Sequence, residues 1–145
     1  MQFHLNDKDR QLIDAILDQL IPANPEKAVP AAGKLGVAEF LIEKASSDAN
    51  INQAVVDVIN YTTKLAEDVS PQTVRQLESE LPQEFATLLR LTYMGYYSRA
   101  DIRVVFGLSK EPVQPKGYDV PSEAPELLMQ LTAPVLAGGK IYREA

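Results

Sequence analysis

The sequence lacks cysteine altogether and has a single histidine, His4, among its 145 residues. Without a thiol the chain forms no disulfide, no thiolate metal site, no iron–sulfur cluster and no cysteine nucleophile. Positive charge is also scarce, because the sequence has 14 Lys and Arg residues against 20 Asp and Glu residues, which gives a net charge of −6. Nucleic-acid backbones and anionic membranes bind clusters of Lys and Arg, so neither is expected as a partner.

Long apolar runs are missing as well. No stretch approaches the ~20 residues that cross a bilayer, so we expect no direct membrane insertion. The first residues, MQFHLNDKDR, carry acids where a secretory signal has its apolar segment. As written, the chain is therefore expected in the cytoplasm.

Patterns that assemble reactive groups are absent too. The sequence has no Gly-x-Gly-x-x-Gly, P-loop or nucleophile elbow, and GKLG at residues 33–36 lacks the preceding strand of a phosphate loop. Acidic pairs one helical turn apart, such as Asp14 with Asp18, are interpreted as solvated faces. His4 has no second His or Cys with which to hold a transition metal. We therefore expect no catalytic, cofactor-binding or metal-binding residue in this chain, and no enzyme activity of its own.

The strongest pattern that the sequence does contain is helical periodicity. Apolar residues recur every three to four positions over much of residues 12–106, as in helices with one buried face, and strand signals are weak. Cap residues and prolines then indicate where the helices begin. The predicted starts are Asn6, Pro30, Asn50, Ser70, Pro82 and Ser98. The last one opens a Ser-x-x-Asp capping pattern with Asp101, which explains this serine without a catalytic role.

This periodicity predicts one compact all-α bundle of about five to seven short helices, as a single domain over residues 1–145. Gly107 is expected to end the sixth helix. The prolines and glycines that follow predict a long loop over residues 108–122. The segment EAPELLMQL is compatible with one more helix, and the residues after it are expected to form an extended C-terminal tail.

Residues 93–121, YMGYYSRADIRVVFGLSKEPVQPKGYDVP, concentrate four tyrosines, three glycines and three prolines. Two interpretations of Tyr93–Tyr97 stay open: the rings continue a buried stripe, or they form a partner-binding surface, where Tyr and Arg are frequent. For the loop and the tail we favour binding, because a proline-stiffened loop loses little entropy on association. The candidate partner-binding residues are Tyr96, Tyr97, Ser98, Arg99, Gln114, Pro115, Lys116, Gly117, Tyr118, Tyr142 and Arg143.

The same stretch resembles the gluconate 2-dehydrogenase subunit 3 family. That family's pattern has a Tyr-Tyr-Ser turn, a short helix ending near a glycine, and Gln-Pro-x-Gly-Tyr followed by a proline. The matching positions here are Tyr96, Tyr97, Ser98, Gly107, Gln114, Pro115, Gly117, Tyr118 and Pro121. LIDAILDQLIPANPE and AGKLGVAEFLIEKA are similar to the family's first two helices, and GGKIYREA to its C-terminal end, so the resemblance spans nearly the whole chain.

The resemblance implies a small, non-catalytic subunit that binds, stabilises or chaperones a large FAD-dependent dehydrogenase of the glucose–methanol–choline (GMC) type. Such partners oxidise sugars, sugar acids or related alcohols, and some complexes add a cytochrome c subunit. FAD is then expected in the partner and no cofactor in this chain. Many members carry a twin-arginine leader, and none precedes Leu5 here. A periplasmic location would therefore require a leader that was removed or supplied by a partner.

Two other functions fit the residues alone. A stand-alone helical protein that binds a small apolar ligand predicts an enclosed pocket between the Leu/Ile stripes. A self-associating structural protein predicts that the tyrosine surface pairs with its own copy.

Overall fold

A computed structural model describes residues 3–65, 68–111, 117 and 124–138, and within these residues the chain is all-α with no strand. The prediction of an all-α protein with five to seven helices is therefore confirmed. The seven helices are α1 (Asp7–Leu20), α2 (Val37–Ser47), α3 (Ala49–Leu65), α4 (Pro71–Glu80), α5 (Pro82–Tyr97), α6 (Ala100–Val105) and α7 (Pro125–Ala137). None of these described helices is both long enough and apolar enough to cross a bilayer.

The chain groups into two compact units, residues 1–112 and 113–145, and each is described by itself. This grouping reflects packing and not independent folding, so the expected single domain over 1–145 stays a prediction. The first unit holds α1 to α6 and the second holds α7.

The first unit is a helical bundle in which α5 packs against α2, α3 and α4. The apolar stripes predicted from the sequence meet in one core, and each fully buried Leu or Ile contributes roughly 1.5–3 kcal/mol relative to exposure. Among the aliphatic side chains of that core larger than alanine, the least exposed are Ile13, Ile16, Leu17, Leu41, Val58, Leu77 and Leu88.

Three of the predicted helix starts are confirmed. Asn6 caps α1, because its side-chain oxygen accepts the Asp9 N–H at 2.9 Å. Ser70 and Thr73 form a reciprocal capping box at the start of α4, with Pro71 in the first helical position. Pro82 begins α5, also as predicted.

The predicted start of the second helix at Pro30 is wrong, because α2 begins only at Val37. Residues 31–36 form turns that pass close to α1. The Gly33 N–H donates to a carboxylate oxygen of Asp18 at 2.7 Å, and a Cβ at Gly33 would lie 2.3 Å from the Asp14 carbonyl oxygen. This close approach of the two backbone segments keeps residues 31–36 in turns, and α2 therefore begins only after them.

The caps predicted at Asn50 and Ser98 are also wrong. Asp48 caps α3 instead, since its carboxylate accepts the Asn50 N–H at 2.8 Å. Ser98 has helical backbone angles and ends α5, and its N–H donates to the Met94 carbonyl at 3.2 Å. α6 therefore begins after an extended Arg99 that makes no side-chain cap.

Gly107 ends α6 as predicted, with a positive φ of 75°. Its N–H donates to the Val104 carbonyl at 3.0 Å, and the Leu108 N–H donates to the Arg103 carbonyl at 2.9 Å. This pair of hydrogen bonds is the Schellman arrangement, which favours glycine at the left-handed position.

The last helix, α7, is longer than the sequence predicted. It continues through Thr132 and Pro134 to Ala137, into the segment assigned to the extended tail. A proline at position 134 removes one intrahelical hydrogen bond without ending the helix. Of the predicted loop over 108–122, the structure describes residues 108–111 and 117. Residues 139–145 of the predicted tail lie outside the described residues.

Candidate partner-binding surface

The C-terminal end of α5 and the end of α6 together expose a group of large apolar side chains. Tyr93, Met94, Tyr97 and Phe106 are 44%, 50%, 43% and 44% exposed, and we call these four residues the aromatic surface. The Tyr93 and Tyr97 rings stack with centroids 5.9 Å apart, and the Phe106 ring meets Tyr97 edge-on at 5.7 Å. These exposed side chains therefore form one continuous cluster.

Helix geometry explains why two of these tyrosines face solvent and their neighbour does not. Tyr93 and Tyr97 are four residues apart in α5 and lie on one face, whereas Tyr96 points about 100° away from Tyr97. Tyr96 is only 1% exposed. Its ring packs edge-on against Tyr97 with centroids 5.0 Å apart, so the buried ring supports the exposed one.

The hydroxyl of Tyr96 donates a hydrogen bond to the Pro30 carbonyl oxygen at 2.7 Å. Burial raises the pKa of Tyr96 above its usual range, and the neighbouring Tyr97 and Asp101 raise it further. The burial of Tyr96 corresponds to the core interpretation of the two that the sequence left open. Tyr97, by contrast, remains accessible.

Arg99 is half-buried, and most of its donors are used inside the chain. One guanidinium nitrogen donates to the Leu35 carbonyl at 3.0 Å, and two others bind the Asp101 carboxylate at 3.0 and 3.1 Å. The Arg99 hydrogen bond holds the pKa of the Asp101 carboxyl below its usual range. Arg99 and Tyr96 thus both connect the turns at residues 30–36 to the junction between α5 and α6, which we call the α5–α6 corner. Ser98 is exposed at this corner.

Two grooves flank Tyr97. The larger one, about 420 Å³, is mostly apolar, and its walls come from α2 and α5. It forms because Gly95 lets these helices approach closely: a Cβ there would lie 3.0 Å from side-chain carbons of Phe40 and Val37. Its lining residues are Phe40, Lys44, Tyr93, Met94, Tyr97 and Ser98.

The smaller groove, about 190 Å³, lies on the other side of Tyr97. Its walls include the side chains of Lys27, Tyr96 and Phe106. Each groove also has a cation against an aromatic ring. The ammonium nitrogen of Lys27 is 5.6 Å from the Phe106 ring centroid, and that of Lys44 is 4.9 Å from the Phe40 ring centroid.

Several residues of this surface were missed by the sequence interpretation. Phe40 and Lys44 lie about fifty residues before Tyr93 in the chain and join it only through packing of α2 on α5. Phe106, at the end of the predicted sixth helix, was not among the candidate binding residues. A signal was present, because Val104, Val105 and Phe106 are consecutive in a short helix and one helix face cannot bury all three.

Six of the predicted partner-binding residues lie outside the described residues. These are Gln114, Pro115, Lys116, Tyr118, Tyr142 and Arg143. Gly117 is described and exposed, with a positive φ of 77° that favours glycine. The structure thus places Tyr97 and Ser98 on the exposed surface, with Tyr96 and Arg99 beneath or beside it.

Asp14 and Asp18 do not form the solvated face that the sequence predicted. Asp18 accepts the Gly33 N–H, and Asp14 is half-buried beside Arg10, with Nε 3.4 Å from one carboxylate oxygen. The other oxygen, Oδ1, is buried, and it has no hydrogen-bond partner among the residues that the structure describes. Burial raises the pKa of Asp14, and Arg10 only partly opposes this. Among the residues that the structure describes, no group of three or more His, Asp or Glu side chains is placed to hold a metal ion.

The chain matches no known family model, and neither a curated protein nor a solved structure matches it. The resemblance to gluconate 2-dehydrogenase subunit 3 therefore stays a prediction from the residues quoted above.

Proposed function

We propose that this chain is a non-catalytic accessory subunit whose aromatic surface binds and stabilises a large FAD-dependent dehydrogenase. The resemblance suggests the class of partner: a GMC-type subunit that carries FAD and oxidises a sugar, a sugar acid or a related alcohol. A cytochrome c subunit is an additional partner in some complexes of that kind. The observation that carries the binding role is the exposed cluster of Tyr93, Met94, Tyr97 and Phe106.

The aromatic surface has the composition of a binding site. Tyrosine, phenylalanine and methionine are enriched where proteins bind one another, since they bury a large area with few rotatable bonds. The stacked and edge-on contacts around Tyr97 already restrict its ring before any partner arrives. Association then costs less conformational entropy than it would for isolated exposed side chains.

Binding would stabilise the partner by mass action. A subunit that binds only the folded dehydrogenase raises the dehydrogenase's free energy of unfolding by RT ln(1 + [L]/Kd), about 2.7 kcal/mol at one hundred times Kd. No catalytic residue in the accessory subunit is needed for this effect. The small subunit would therefore change the yield and heat resistance of the flavoprotein without taking part in its chemistry.

The test first asks whether a gene beside this one encodes a large FAD-dependent dehydrogenase. The two chains are then co-expressed, and either subunit is purified by affinity. Tyr97→Ala should weaken the complex about thirtyfold, as expected for a hot-spot ring worth about 2 kcal/mol. Gln83→Ala is the matched control, because it changes an exposed residue of the same helix about 21 Å along the axis from Tyr97. Equal recovery of wild type and Tyr97→Ala, or no flavoprotein gene beside this one, would count against the proposal.

The two alternative functions have less support from the described residues. The Leu/Ile stripes that would line an enclosed ligand pocket pack against one another, with Ile13, Leu17 and Leu88 at most 1% exposed. Self-association through the aromatic surface predicts a dimer of the isolated chain. Light scattering tests that alternative directly, and a monomer is what the accessory-subunit proposal predicts.

A further inference from the structure

One extended residue, Arg99, joins α5 to α6. Ser98 still has helical backbone angles at the end of α5, Arg99 has φ −66° and ψ 136°, and α6 begins at Ala100. The dihedral angles of this one residue therefore set the direction in which α6 leaves α5. At the other end of α6, the Phe106 ring meets Tyr97 of α5 edge-on, with centroids 5.7 Å apart. The place of Phe106 in the aromatic surface thus depends on how this junction is held.

α6 has few means of fixing its own orientation. Its six residues make fewer than two turns, and an isolated helix of that length is unstable in water. Ile102 is the side chain of α6 that joins the buried core. One such anchor fixes a point on the helix and leaves the helix free to pivot about that point. A second attachment is needed to fix its direction.

The Arg99 guanidinium supplies that second attachment. Its Nη1 donates to the Leu35 carbonyl oxygen at 3.0 Å, and its Nε and Nη2 donate to the Asp101 carboxylate at 3.1 and 3.0 Å. The same carboxylate accepts the Ile102 N–H at 3.0 Å. The guanidinium therefore links the first turn of α6 to the turn that precedes α2, 64 residues earlier in the chain.

Arginine is the side chain that can make these contacts together. A guanidinium is a planar fork with five donors, so one edge binds a carboxylate with two hydrogen bonds while another nitrogen stays free for a carbonyl. A lysine ammonium is a point charge on a flexible stem. The ion pair of Arg99 with Asp101 is also partly exposed, at 39% and 56% of the two side chains, and such pairs add little to stability. The arrangement is therefore suited to fixing an orientation more than to strengthening the fold.

We infer that Arg99 is a positioning residue, whose guanidinium holds α6 in the orientation that packs Phe106 against Tyr97. The consequence for partner binding rests on the proposed function. A ring that is already packed loses less conformational entropy when a partner binds it. Arg99 would thus strengthen association through Phe106, without itself contacting the flavoprotein.

The first experiment observes the Tyr97–Phe106 contact in the full chain, without any partner, by nuclear Overhauser effects between the two rings. Arg99→Ala and Arg99→Lys should both lose this effect, while the stacked pair of Tyr93 and Tyr97 within α5 keeps its own. Arg75→Ala is the matched control, because it removes the same charge from an exposed position of α4, and it should keep both effects. The helical circular dichroism of all variants should match that of the wild type.

The second experiment measures binding to the FAD-dependent dehydrogenase, once co-expression has established that partner. Arg99→Ala should weaken binding roughly three- to tenfold, the entropy of ordering one side chain. In a Phe106→Ala background the same substitution should change binding by less than about twofold, because the two residues act as a unit.

The outcomes separate this inference from the proposed function. If the wild-type chain binds no such dehydrogenase, the proposed function fails, and the ring contact in the free chain still decides whether Arg99 positions Phe106. If that contact survives in Arg99→Ala, the positioning role is refuted. If it is lost only because the helical signal is lost as well, Arg99 is a general stability residue and the inference is overturned. If Arg99→Ala weakens binding equally with and without Phe106, Arg99 contacts the partner directly, which also overturns it.

Discussion

Removing one oxygen atom, in Tyr96→Phe, tests how the α5–α6 corner is held. The Tyr96 hydroxyl donates to the Pro30 carbonyl at 2.7 Å, across 66 residues of sequence, and its ring is 1% exposed. Phenylalanine keeps the ring packing and leaves the carbonyl without this donor. A net hydrogen bond contributes about 0.5–1.5 kcal/mol, and a buried acceptor left unsatisfied costs about 1–3 kcal/mol.

Because Pro30 is half-buried, water partly replaces the lost donor, and we expect a loss of about 1–1.5 kcal/mol. For 145 residues this corresponds to a fall in Tm of about 3–5 °C. Urea unfolding followed by circular dichroism measures it as a lower midpoint with an unchanged slope. Tyr97→Phe is the matched control, because Tyr97 is adjacent to Tyr96 but exposed. Its free energy of unfolding should change by less than about 0.5 kcal/mol.

The same hydroxyl predicts a pH effect. Burial raises the Tyr96 pKa in the native state above its ordinary value of 10.0, so the native chain holds this proton more tightly than the unfolded chain does. The stabilisation is complete below pH 10 and is lost as the pH rises through the native pKa. Tyr96→Phe should remove this part of the alkaline destabilisation. Equal stability of Tyr96→Phe and Tyr97→Phe at pH 7 would refute the role assigned to the Pro30 contact.

Three further substitutions test other parts of the fold. Gly33→Ala should destabilise the chain by more than about 2 kcal/mol in urea unfolding, because its Cβ would meet the Asp14 carbonyl oxygen at 2.3 Å and backbone must move; near-normal stability would contradict that close approach. Ser70→Ala removes the capping box of α4 and should cost about 1 kcal/mol by the same assay, whereas no change would mean that the cap is replaced by water. Asp14→Asn should abolish a loss of stability that occurs as the pH rises from 4 to 7. Burial raises the native pKa of Asp14 above 3.8, so the protonated carboxyl stabilises the native chain and this stabilisation is lost as the pH rises. Tm values at pH 4 and pH 7 check this, and an unchanged pH dependence would contradict it.

Local chemistry explains what the sequence predicted correctly. Asn6, Ser70 and Pro82 begin helices by contacts within three or four residues, and Gly107 ends one by its own backbone freedom. These signals require no knowledge of the tertiary fold. The apolar periodicity likewise predicted the buried face of α1, which includes Ile13, Ile16 and Leu17.

The errors and omissions arise where distant segments meet. No short sequence pattern indicates that Gly33 lies against the Asp14 carbonyl, and this contact moved the start of α2 to Val37. Periodicity indicates that Tyr96 and Tyr97 face different ways. Which one is buried depends on the Pro30 carbonyl, far away in the chain.

The candidate surface was predictable only in part for the same reason. The Tyr96–Tyr97 pair directed attention to the end of α5, where large apolar side chains are exposed. The groove beside it also needs Phe40, which reaches Tyr93 only because Gly95 lets α2 and α5 approach. α7 exceeded its predicted length because a proline far from the first turn does not always end a helix.

The most direct test of the central claim is a titration of the large flavoprotein with this chain, following the Tm of the flavoprotein. If the aromatic surface binds the folded partner, the flavoprotein's Tm rises with the concentration of the wild-type chain, and Tyr97→Ala needs about thirtyfold more protein for the same rise. Gln83→Ala should match the wild type. A flavoprotein Tm that is independent of the wild-type chain, or that responds equally to Tyr97→Ala, would contradict the account.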